Sequence, residues 1–321
     1  MNVDKIGVGI WVFGIVPDRF LPTGYQPNID LTEKIRMIGA VPGVSGVEVP
    51  FGPVLTNDNL DSIAALLSDN GLVISSLTVN VTSDRKWSVG SITNPDKRVR
   101  SEAIALVTDA MRAAEYLNVD TLNLWMGQEG FDYPFEVDYR EVWDLMVSAF
   151  TEIAGACPTV RLALEYKPME PRMRSLPNSA AQSLLMALET ELPNVGVTID
   201  FGHAVVGREN ASQSATMLNA RDKLYHIHFN DNYGDWDWDM AAGVNNWWQL
   251  VEFAYWLKRV GYDGWCVVDI FPYRDGASEL TALSVKAFRK AATIAESIDE
   301  TVLQRGFDRR SALDVYNLLL E

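Results

Sequence analysis

Short apolar stretches recur along the whole chain, and each is followed by a stretch with the polar and apolar spacing of an amphipathic helix. The apolar stretches are continuous rather than alternating, which is typical of strands buried on both faces of a parallel sheet. The pattern predicts strands over residues 5–13, 44–49, 72–80, 121–125, 160–167, 195–200, 224–229 and 265–270. It predicts helices over residues 31–38, 59–70, 95–117, 139–156, 178–190, 211–219, 247–260, 279–298 and 311–320.

Eight strand–helix units in this order predict an α/β fold, a single (β/α)8 TIM barrel. We assign residues 1–298 to the barrel and residues 299–321 to a C-terminal helical tail that packs on the barrel or on a neighbouring subunit. An open, doubly wound sheet is the alternative. No Gly-x-Gly-x-x-Gly sequence follows a predicted strand, so the dinucleotide-binding motif that would support that fold is missing.

The formal net charge of −16 over 321 residues limits the classes of partner. A nucleic-acid-binding protein needs a basic face that neutralises phosphates, so we expect neither a nucleic acid nor an anionic membrane as partner. The two cysteines form no metal-binding motif, and no apolar run reaches the ~18 residues of a membrane helix. The first residues do not resemble a secretion signal. We therefore expect a cytoplasmic enzyme that acts on a small molecule.

All three histidines of the chain lie within residues 197–239, and aspartates are close to each of them. In a TIM barrel the functional side chains stand at the carboxyl ends of the strands. The candidates at the ends of the predicted strands are Glu48, Trp125, Glu165, Lys167, Asp200, His226, His228 and Asp269. Side chains two residues apart on a strand share a face, as His226 and His228 do.

Three acidic side chains, Glu165, Asp200 and Asp269, directly follow apolar runs. Buried carboxylates are unfavourable unless they are paired or metal-bound, and three of them without a cation would repel one another and take up protons. Together with His228 they form an oxygen-rich set with one nitrogen, which suits Mg²⁺ or Mn²⁺ better than a thiolate zinc site. Helix capping or pairing with arginines is the structural alternative.

The chain reads EYKPMEPR at residues 165–172, DFGH at 200–203 and HFNDNYGDWD at 228–237, with Asp269 on the last predicted strand. These segments resemble the sugar isomerases of the xylose isomerase-like TIM barrel superfamily, most closely the L-rhamnose isomerase and related aldose isomerase branch. The resemblance extends from Glu48 to Asp269, and the three segments carry most of its specificity.

The resemblance implies two sites for divalent ions. The structural ion would be held by Glu165, Asp200, His228 and Asp269. The second ion would be held by His203 and Asp235, together with Asp237. Lys167 would hydrogen-bond the sugar oxygen at the reacting carbon. Because Asp200 and His203 are three residues apart, the two sites could share an ion or be bridged.

We therefore expect a metal-dependent aldose–ketose isomerase that acts on a free pentose, hexose or deoxysugar by a metal-assisted hydride shift, with one or two Mg²⁺ or Mn²⁺ ions per subunit. The expected catalytic residues are Lys167, Glu165, Asp235 and His203. The expected substrate-binding residues are Glu48, Trp125, His226 and Trp11, the tryptophans because aromatic faces can cover the apolar face of a sugar. Enzymes of this type often oligomerise, so we expect a homodimer or homotetramer.

Other functions remain open on the sequence alone. A ketose 3-epimerase would use a single metal and the pair Glu165 and Asp269 as acid and base. A non-catalytic barrel would bind sugar or metal without turnover, and a subunit of a larger complex would act on a sugar conjugate with a second chain. The endonuclease branch of the superfamily is disfavoured, because its trinuclear zinc site needs more histidines and its DNA-binding face should be basic.

Overall fold

The computed structural model describes residues 5–320 and contains a closed barrel of eight parallel strands, as the sequence predicted. The strands in chain order are β1 (Ile6–Gly9), β2 (Gly46–Phe51), β3 (Val73–Val79), β4 (Thr121–Trp125), β5 (Gly130–Phe131), β6 (Arg161–Glu165), β7 (Met169–Glu170), β8 (Met173–Ser175), β9 (Val195–Asp200), β10 (Leu224–Phe229) and β11 (Cys266–Val268). Around the barrel the order is β1-β11-β10-β9-β6-β4-β3-β2. The short strands β5, β8 and β7 form a separate antiparallel sheet that was not predicted.

All nine predicted helices are present in the predicted order, and residues 5–320 contain two further α-helices, Phe201–Val206 and Glu300–Arg309. The α-helices in chain order are α1 (Leu31–Gly39), α2 (Leu60–Asp69), α3 (Lys97–Tyr116), α4 (Tyr139–Ala156), α5 (Ala180–Glu189), α6 (Phe201–Val206), α7 (Ala211–Asn219), α8 (Trp247–Arg259), α9 (Ala277–Ser297), α10 (Glu300–Arg309) and α11 (Leu313–Leu320). Within residues 5–320, no helix is both long enough and apolar enough to cross a membrane.

Polar side chains set the first residues of helices α3 and α5. The side chain of Asp96 accepts a hydrogen bond from the backbone N–H of Arg98, and that of Ser179 accepts one from the N–H of Gln182. This is the geometry of an N-cap residue, whose oxygen satisfies a backbone donor of the first helical turn. Both helices therefore begin directly after their cap, slightly later than the sequence predicted.

The first predicted strand, residues 5–13, is wrong in its second half. Strand β1 ends at Gly9, and Ile10–Phe13 form a turn of 3-10 helix. A Cβ atom at Gly9 would lie 2.3 Å from the ring of Trp11, so this close approach requires glycine. The turn places the Trp11 indole at the carboxyl end of the barrel.

Helix α6 was not predicted, because it follows strand β9 without an intervening loop. Asp200 is the last residue of β9 and also the N-cap of α6. Its Oδ1 accepts a hydrogen bond from the backbone N–H of His203 at 2.8 Å. As a result, His203 stands on the first helical turn beside the end of the barrel rather than in a loop.

The strand register brings predicted site residues to the same level of the barrel. His228 on β10 pairs with Asp200 on β9, and Glu165 on β6 pairs with Thr198 on β9. Asp269 directly follows β11, the other neighbour of β10. Four candidate ligands from four adjacent strands therefore meet at one side of the carboxyl end.

The tail after α9 packs on helix α8 of its own chain. The ring of Phe307 stacks on Trp256 with centroids 6.2 Å apart, and the ring of Tyr316 meets Trp248 edge-on at 5.7 Å. The domain boundary at residue 298 and the homodimer or homotetramer stay predictions. The outer ends of the predicted domains, residues 1 and 321, lie outside the described residues.

Candidate functional site

A cavity of about 990 Å³ opens at the carboxyl ends of the barrel strands. This volume lies at the upper end of the range of small-molecule sites, ~300–1,000 Å³. Its lining includes many of the residues predicted from sequence: Trp11, Glu48, Trp125, Glu165, Lys167, His203, His228, Asp237 and Asp269. Side chains that are distant in sequence therefore line the same cavity.

His228 has one ring nitrogen in a hydrogen bond and one without a partner. Its Nε2 lies 3.1 Å from Oε2 of Glu48. Its Nδ1 is buried and has no hydrogen-bond partner in the described part of the chain, although oxygens of Asp269, Glu165 and Asp200 lie 3.3, 3.4 and 4.0 Å away. A buried nitrogen that faces three carboxylates without a hydrogen bond is chemically suited to a divalent cation as their shared partner.

We call Glu165, Asp200, His228 and Asp269 the first cluster. Their candidate ligand atoms all lie within 4.8 Å of one another. Three carboxylates and one imidazole fit Mg²⁺ or Mn²⁺, as the sequence indicated, and the structure brings all four residues together. Their role as metal ligands stays a prediction.

Neighbouring charges oppose the effect of burial on the pKa of His228 and Glu165, and neighbouring carboxylates reinforce it at Asp200. Burial lowers the pKa of His228, but Glu165 and Glu48 outweigh it and raise the pKa well above its usual value. Burial would raise the pKa of Glu165, yet His228 and His203 hold it below its usual range. Burial and neighbouring carboxylates raise the pKa of Asp200 to about 6, against the influence of His203. A bound cation would keep all the carboxylates ionised.

We call Asp200, His203 and Asp237 the second cluster, whose candidate ligand atoms also lie within 4.8 Å of one another. Nδ1 of His203 is 2.8 Å from the backbone oxygen of Tyr166, and its Nε2 is 3.1 Å from Oδ2 of Asp237. Because the carbonyl can only accept, Nδ1 carries a proton and a neutral His203 presents its Nε2 lone pair to Asp237. This contact needs a cation or a proton between the two groups.

The second cluster also contains an unpaired acceptor and a strongly basic imidazole. Oδ1 of Asp237 is buried and has no hydrogen-bond partner among residues 5–320. Burial lowers the pKa of His203, but Asp200 and Asp237 outweigh it and raise the pKa to about 9. Asp200 belongs to both clusters, so two ions at this end of the barrel could share it.

Lys167 stands beside the second cluster. Its Nζ lies 2.6 Å from Oε1 of Glu170 and 3.0 Å from Oδ2 of Asp237. Burial lowers the pKa of Lys167, but Asp237 and Glu170 outweigh it and raise the pKa above its usual value, so the ammonium stays charged. The rings of Trp125 and Trp236 lie 5.4 and 5.8 Å from Nζ, within cation–π range.

Glu48 and His226 are fully buried in the barrel interior. Nε2 of His226 lies 2.8 Å from Oε2 of Glu48, which also accepts a hydrogen bond from Oγ of Ser76 at 2.6 Å. Burial raises the pKa of Glu48, but His228 and His226 outweigh it and hold the pKa below its usual range. Glu48 lines the cavity. Among the residues that the structure describes, His226 does not line it, and contact of His226 with a substrate stays a prediction.

Asp235 lies outside both clusters, unlike the position expected for it. Its side chain is exposed, and its Oδ1 accepts a hydrogen bond from the indole N–H of Trp238 at 2.8 Å. Asp237, two residues later, is buried and stands next to His203, the residue with which the resemblance grouped it. The loop turns Asp235 toward solvent, so the structure does not bring it into either cluster.

Asp239 lines the cavity but was not predicted as a site residue. Its backbone has a φ of 46°, and its Oδ1 accepts a hydrogen bond from Nδ2 of Asn230 at 3.2 Å. Burial raises the pKa of Asp239 well above its usual value, and Asp237 and Asp269 act in the same direction. The signal in the sequence was the repeated Asp-Trp alternation, which does not show which aspartates face inward.

Asn123 is a second residue that was missed. Its Nδ2 lies 2.7 Å from Oε2 of Glu165 and 3.3 Å from Oε1 of Glu48. It stands between Leu122 and Leu124 in strand β4, so an isolated buried amide was the available signal. Buried amides of this kind are hydrogen-bonded to neighbouring polar groups, and here those groups are carboxylates of the site.

Trp11 and Trp125 both line the cavity, in the positions predicted for sugar contacts. The indole N–H of Trp11 donates to Oδ1 of Asp269 at 2.7 Å, and its ring centroid lies 6.3 Å from that of His228. The Trp11 indole thus orients Asp269 within the first cluster. Contact of either ring with a sugar stays a prediction.

Comparisons with known proteins agree with this fold. The family described as "Xylose isomerase-like TIM barrel" matches residues 40–303. A xylose isomerase from Thermus thermophilus is 28% identical over 271 residues, which cover 80% of this chain and 70% of that protein. Two solved structures share the fold at low identity. One is an L-ribulose 3-epimerase, with a TM-score of 0.71, 15% identity and coverage of 91% of this chain and 95% of that chain.

The other solved structure is the IOLI protein with a bound zinc atom, with a TM-score of 0.67, 16% identity and coverage of 90% of this chain and 98% of that chain. At such identities the structural comparisons establish the architecture alone. The family match, in contrast, covers most of the sequence, including every residue of both clusters. The chain therefore belongs to the xylose isomerase-like TIM barrel family.

Proposed function

We propose that the chain is a divalent-metal-dependent sugar isomerase that interconverts an aldose and a ketose. One observation carries the proposal: the two clusters share Asp200, and the charged Lys167 lies 3.0 Å from Asp237 of the second cluster. The arrangement groups candidate cation ligands, a carboxylate able to accept a proton and a charged ammonium at one end of the barrel. The similarity to xylose isomerase supports the same class of reaction.

In the proposed reaction the first cluster binds the ion, and residues of the second cluster transfer a proton. Glu165, Asp200, His228 and Asp269 would hold a Mg²⁺ or Mn²⁺ ion, which when bound would supply Lewis-acid chemistry to an open-chain sugar. Lys167 donates a hydrogen bond to the sugar carbonyl oxygen and stabilises negative charge there. Asp237, with His203 as its hydrogen-bond partner, takes the proton of the C2 hydroxyl and returns it to O1, while hydride moves from C2 to C1 within the substrate.

The cavity suits an uncharged, open-chain sugar. Trp11 and Trp125 supply aromatic faces for its C–H groups, and the two clusters supply acceptors for its hydroxyls. A free pentose, hexose or deoxysugar is the proposed substrate class.

A ketose 3-epimerase is the second candidate. The observation in its favour is that Glu165 and Asp269 approach Nδ1 of His228 to 3.4 and 3.3 Å from different strands. Two carboxylates around one ion could serve as acid and base on opposite faces of a substrate carbon. The hydrogen bond from Trp11 restrains Asp269, which an epimerase would need as a mobile acid or base. The epimerase reaction also gives Lys167 no role, so we favour the isomerase.

An isotope experiment separates the two reactions. The metal-reconstituted protein is incubated with a panel of aldoses and ketoses, including C2-deuterated aldoses, and the products are followed by NMR. We expect a ketose that retains the deuterium at C1, because the hydride shift is internal to the sugar. Inversion only at C3 of a ketose would move the assignment to an epimerase. Metal binding without turnover of any free sugar would overturn both.

Two matched variants test which aspartate of the loop takes part. Asp237→Asn should lower kcat/KM for the identified sugar by about 10²-fold, because it removes the charge opposite His203 and Lys167. Asp235→Asn, the same change at an exposed residue, should stay within about threefold of the wild type. Steady-state kinetics at saturating Mn²⁺ measure both. Equal losses, or a larger loss at Asp235, would contradict the positions of these side chains in the site.

A further inference from the structure

We propose that Glu48 is a positioning residue that fixes the tautomer and ring orientation of His228; this role rests on the proposed metal-binding function of the first cluster. To offer Nδ1 to an ion, neutral His228 must carry its proton on Nε2. Oε2 of Glu48 lies 3.1 Å from this Nε2. An ionised carboxylate can only accept a hydrogen bond, so it holds the proton on the nitrogen that faces away from the first cluster.

Glu48 is itself held in one place by several donors. Its Oε2 accepts hydrogen bonds from Nε2 of His226 at 2.8 Å and from Oγ of Ser76 at 2.6 Å, and its Oε1 lies 3.3 Å from Nδ2 of Asn123. Glu48 is fully buried, and in residues 5–320 its ion pairs are with His226 and His228, not with a lysine or arginine. A buried carboxylate of this kind is unfavourable unless it is paired and hydrogen-bonded, and here its partners are these polar side chains.

Asn123 connects the same carboxylate to a second member of the first cluster. Its Oδ1 accepts a hydrogen bond from Oγ1 of Thr198 at 2.6 Å, which orients the amide so that Nδ2 faces both Glu48 and Glu165. Glu165 and His228 stand on different strands, β6 and β10. Through Asn123 and Glu48, the barrel interior fixes the relative positions of two candidate ligands before an ion binds.

The test combines metal affinity with the protonation pattern of the imidazoles. Glu48→Gln keeps the size of the side chain and removes its charge. Glu129→Gln is the matched control, because Glu129 is another fully buried carboxylate, which accepts hydrogen bonds from the N–H groups of Ser91 and Ile92. Mn²⁺ affinity is measured by EPR titration. Long-range ¹H–¹⁵N spectra of the Mg²⁺-loaded protein report the tautomer, and the chain has three histidines to resolve.

We expect the wild-type spectrum to show His228 protonated at Nε2. Glu48→Gln should weaken Mn²⁺ binding by about 10- to 100-fold and disturb this tautomer, whereas Glu129→Gln should do neither. An Nδ1-protonated His228 in the wild type would overturn the proposal even if the variant did not fold. Unchanged affinity in Glu48→Gln would overturn it as well. Because neither readout uses a sugar, a chain that binds metal as expected but isomerises no sugar would refute the proposed reaction and leave the role of Glu48 intact.

Discussion

The Asp200→Asn variant is expected to lose tight binding of divalent ions and to lose turnover with it. Asp200 belongs to both clusters, so this single change weakens both candidate sites. Asparagine retains an oxygen that can accept the N–H of His203, so the N-cap of helix α6 should survive. Removing one charge from a buried ionic site costs about 4 kcal/mol, which corresponds to about a 10³-fold increase in the Kd for Mn²⁺.

Thermal unfolding with and without Mn²⁺ measures this loss. An ion that binds only the folded chain stabilises it, by about 2.7 kcal/mol at a concentration of 100 Kd. We expect the wild type to gain Tm on addition of Mn²⁺ and Asp200→Asn not to gain it. Asp231→Asn is the control, because Asp231 is equally buried but accepts the N–H groups of Asn245 and Asn246. A normal metal-induced gain in Asp200→Asn would refute the shared-ligand arrangement.

The barrel itself could be predicted from the sequence because its strands are buried on both faces. Continuous apolar runs mark such strands directly, and the bounds of β4, β9 and β10 agree with the prediction. The errors in the predicted strands and helices lie where the backbone changes direction without a polar loop in the sequence. After Gly9 the chain forms a 3-10 helix whose residues are apolar like those of the strand before it. Asp200 is both the last residue of a strand and the N-cap of the next helix.

The first cluster could also be anticipated, since a carboxylate directly after an apolar strand has few structural uses. The sequence did not allow us to predict how deep within the barrel a polar side chain lies. Glu48 and His226 stand on strands, as predicted. The strand register brings the two side chains into contact with each other in the barrel interior. Strand register depends on contacts between distant segments, which a single sequence does not display.

In the loop with Asp235, Asp237 and Asp239, the sequence also does not reveal which side chains face the site. Aspartate and tryptophan alternate there, so hydrophobic periodicity does not distinguish inward from outward positions. In the folded chain Asp237 is buried beside His203 while Asp235 is exposed, and the left-handed backbone at Asp239 belongs to the same loop. Tertiary contacts select which carboxylate enters the site.

The Lys167→Met variant is expected to separate chemistry from metal binding. Methionine has a similar length but cannot donate a hydrogen bond or carry charge, so it removes the ammonium that faces Asp237 at 3.0 Å. Loss of one fixed donor at a developing charge typically lowers turnover by about 10²- to 10³-fold, and we expect a loss of this size. The first cluster does not include Lys167, so the Kd for Mn²⁺ at the first cluster should change by less than about threefold.

Kinetics and EPR titration of the same preparations test this expectation, with Lys290→Met on the exposed side of helix α9 as control. If Lys167 acts mainly in the transition state, kcat and kcat/KM should fall together while KM stays nearly constant. A rise in KM alone would show that Lys167 binds the sugar equally in ground and transition states. Retention of more than about a tenth of the turnover would refute its catalytic role, because the remaining groups would then supply most of the stabilisation.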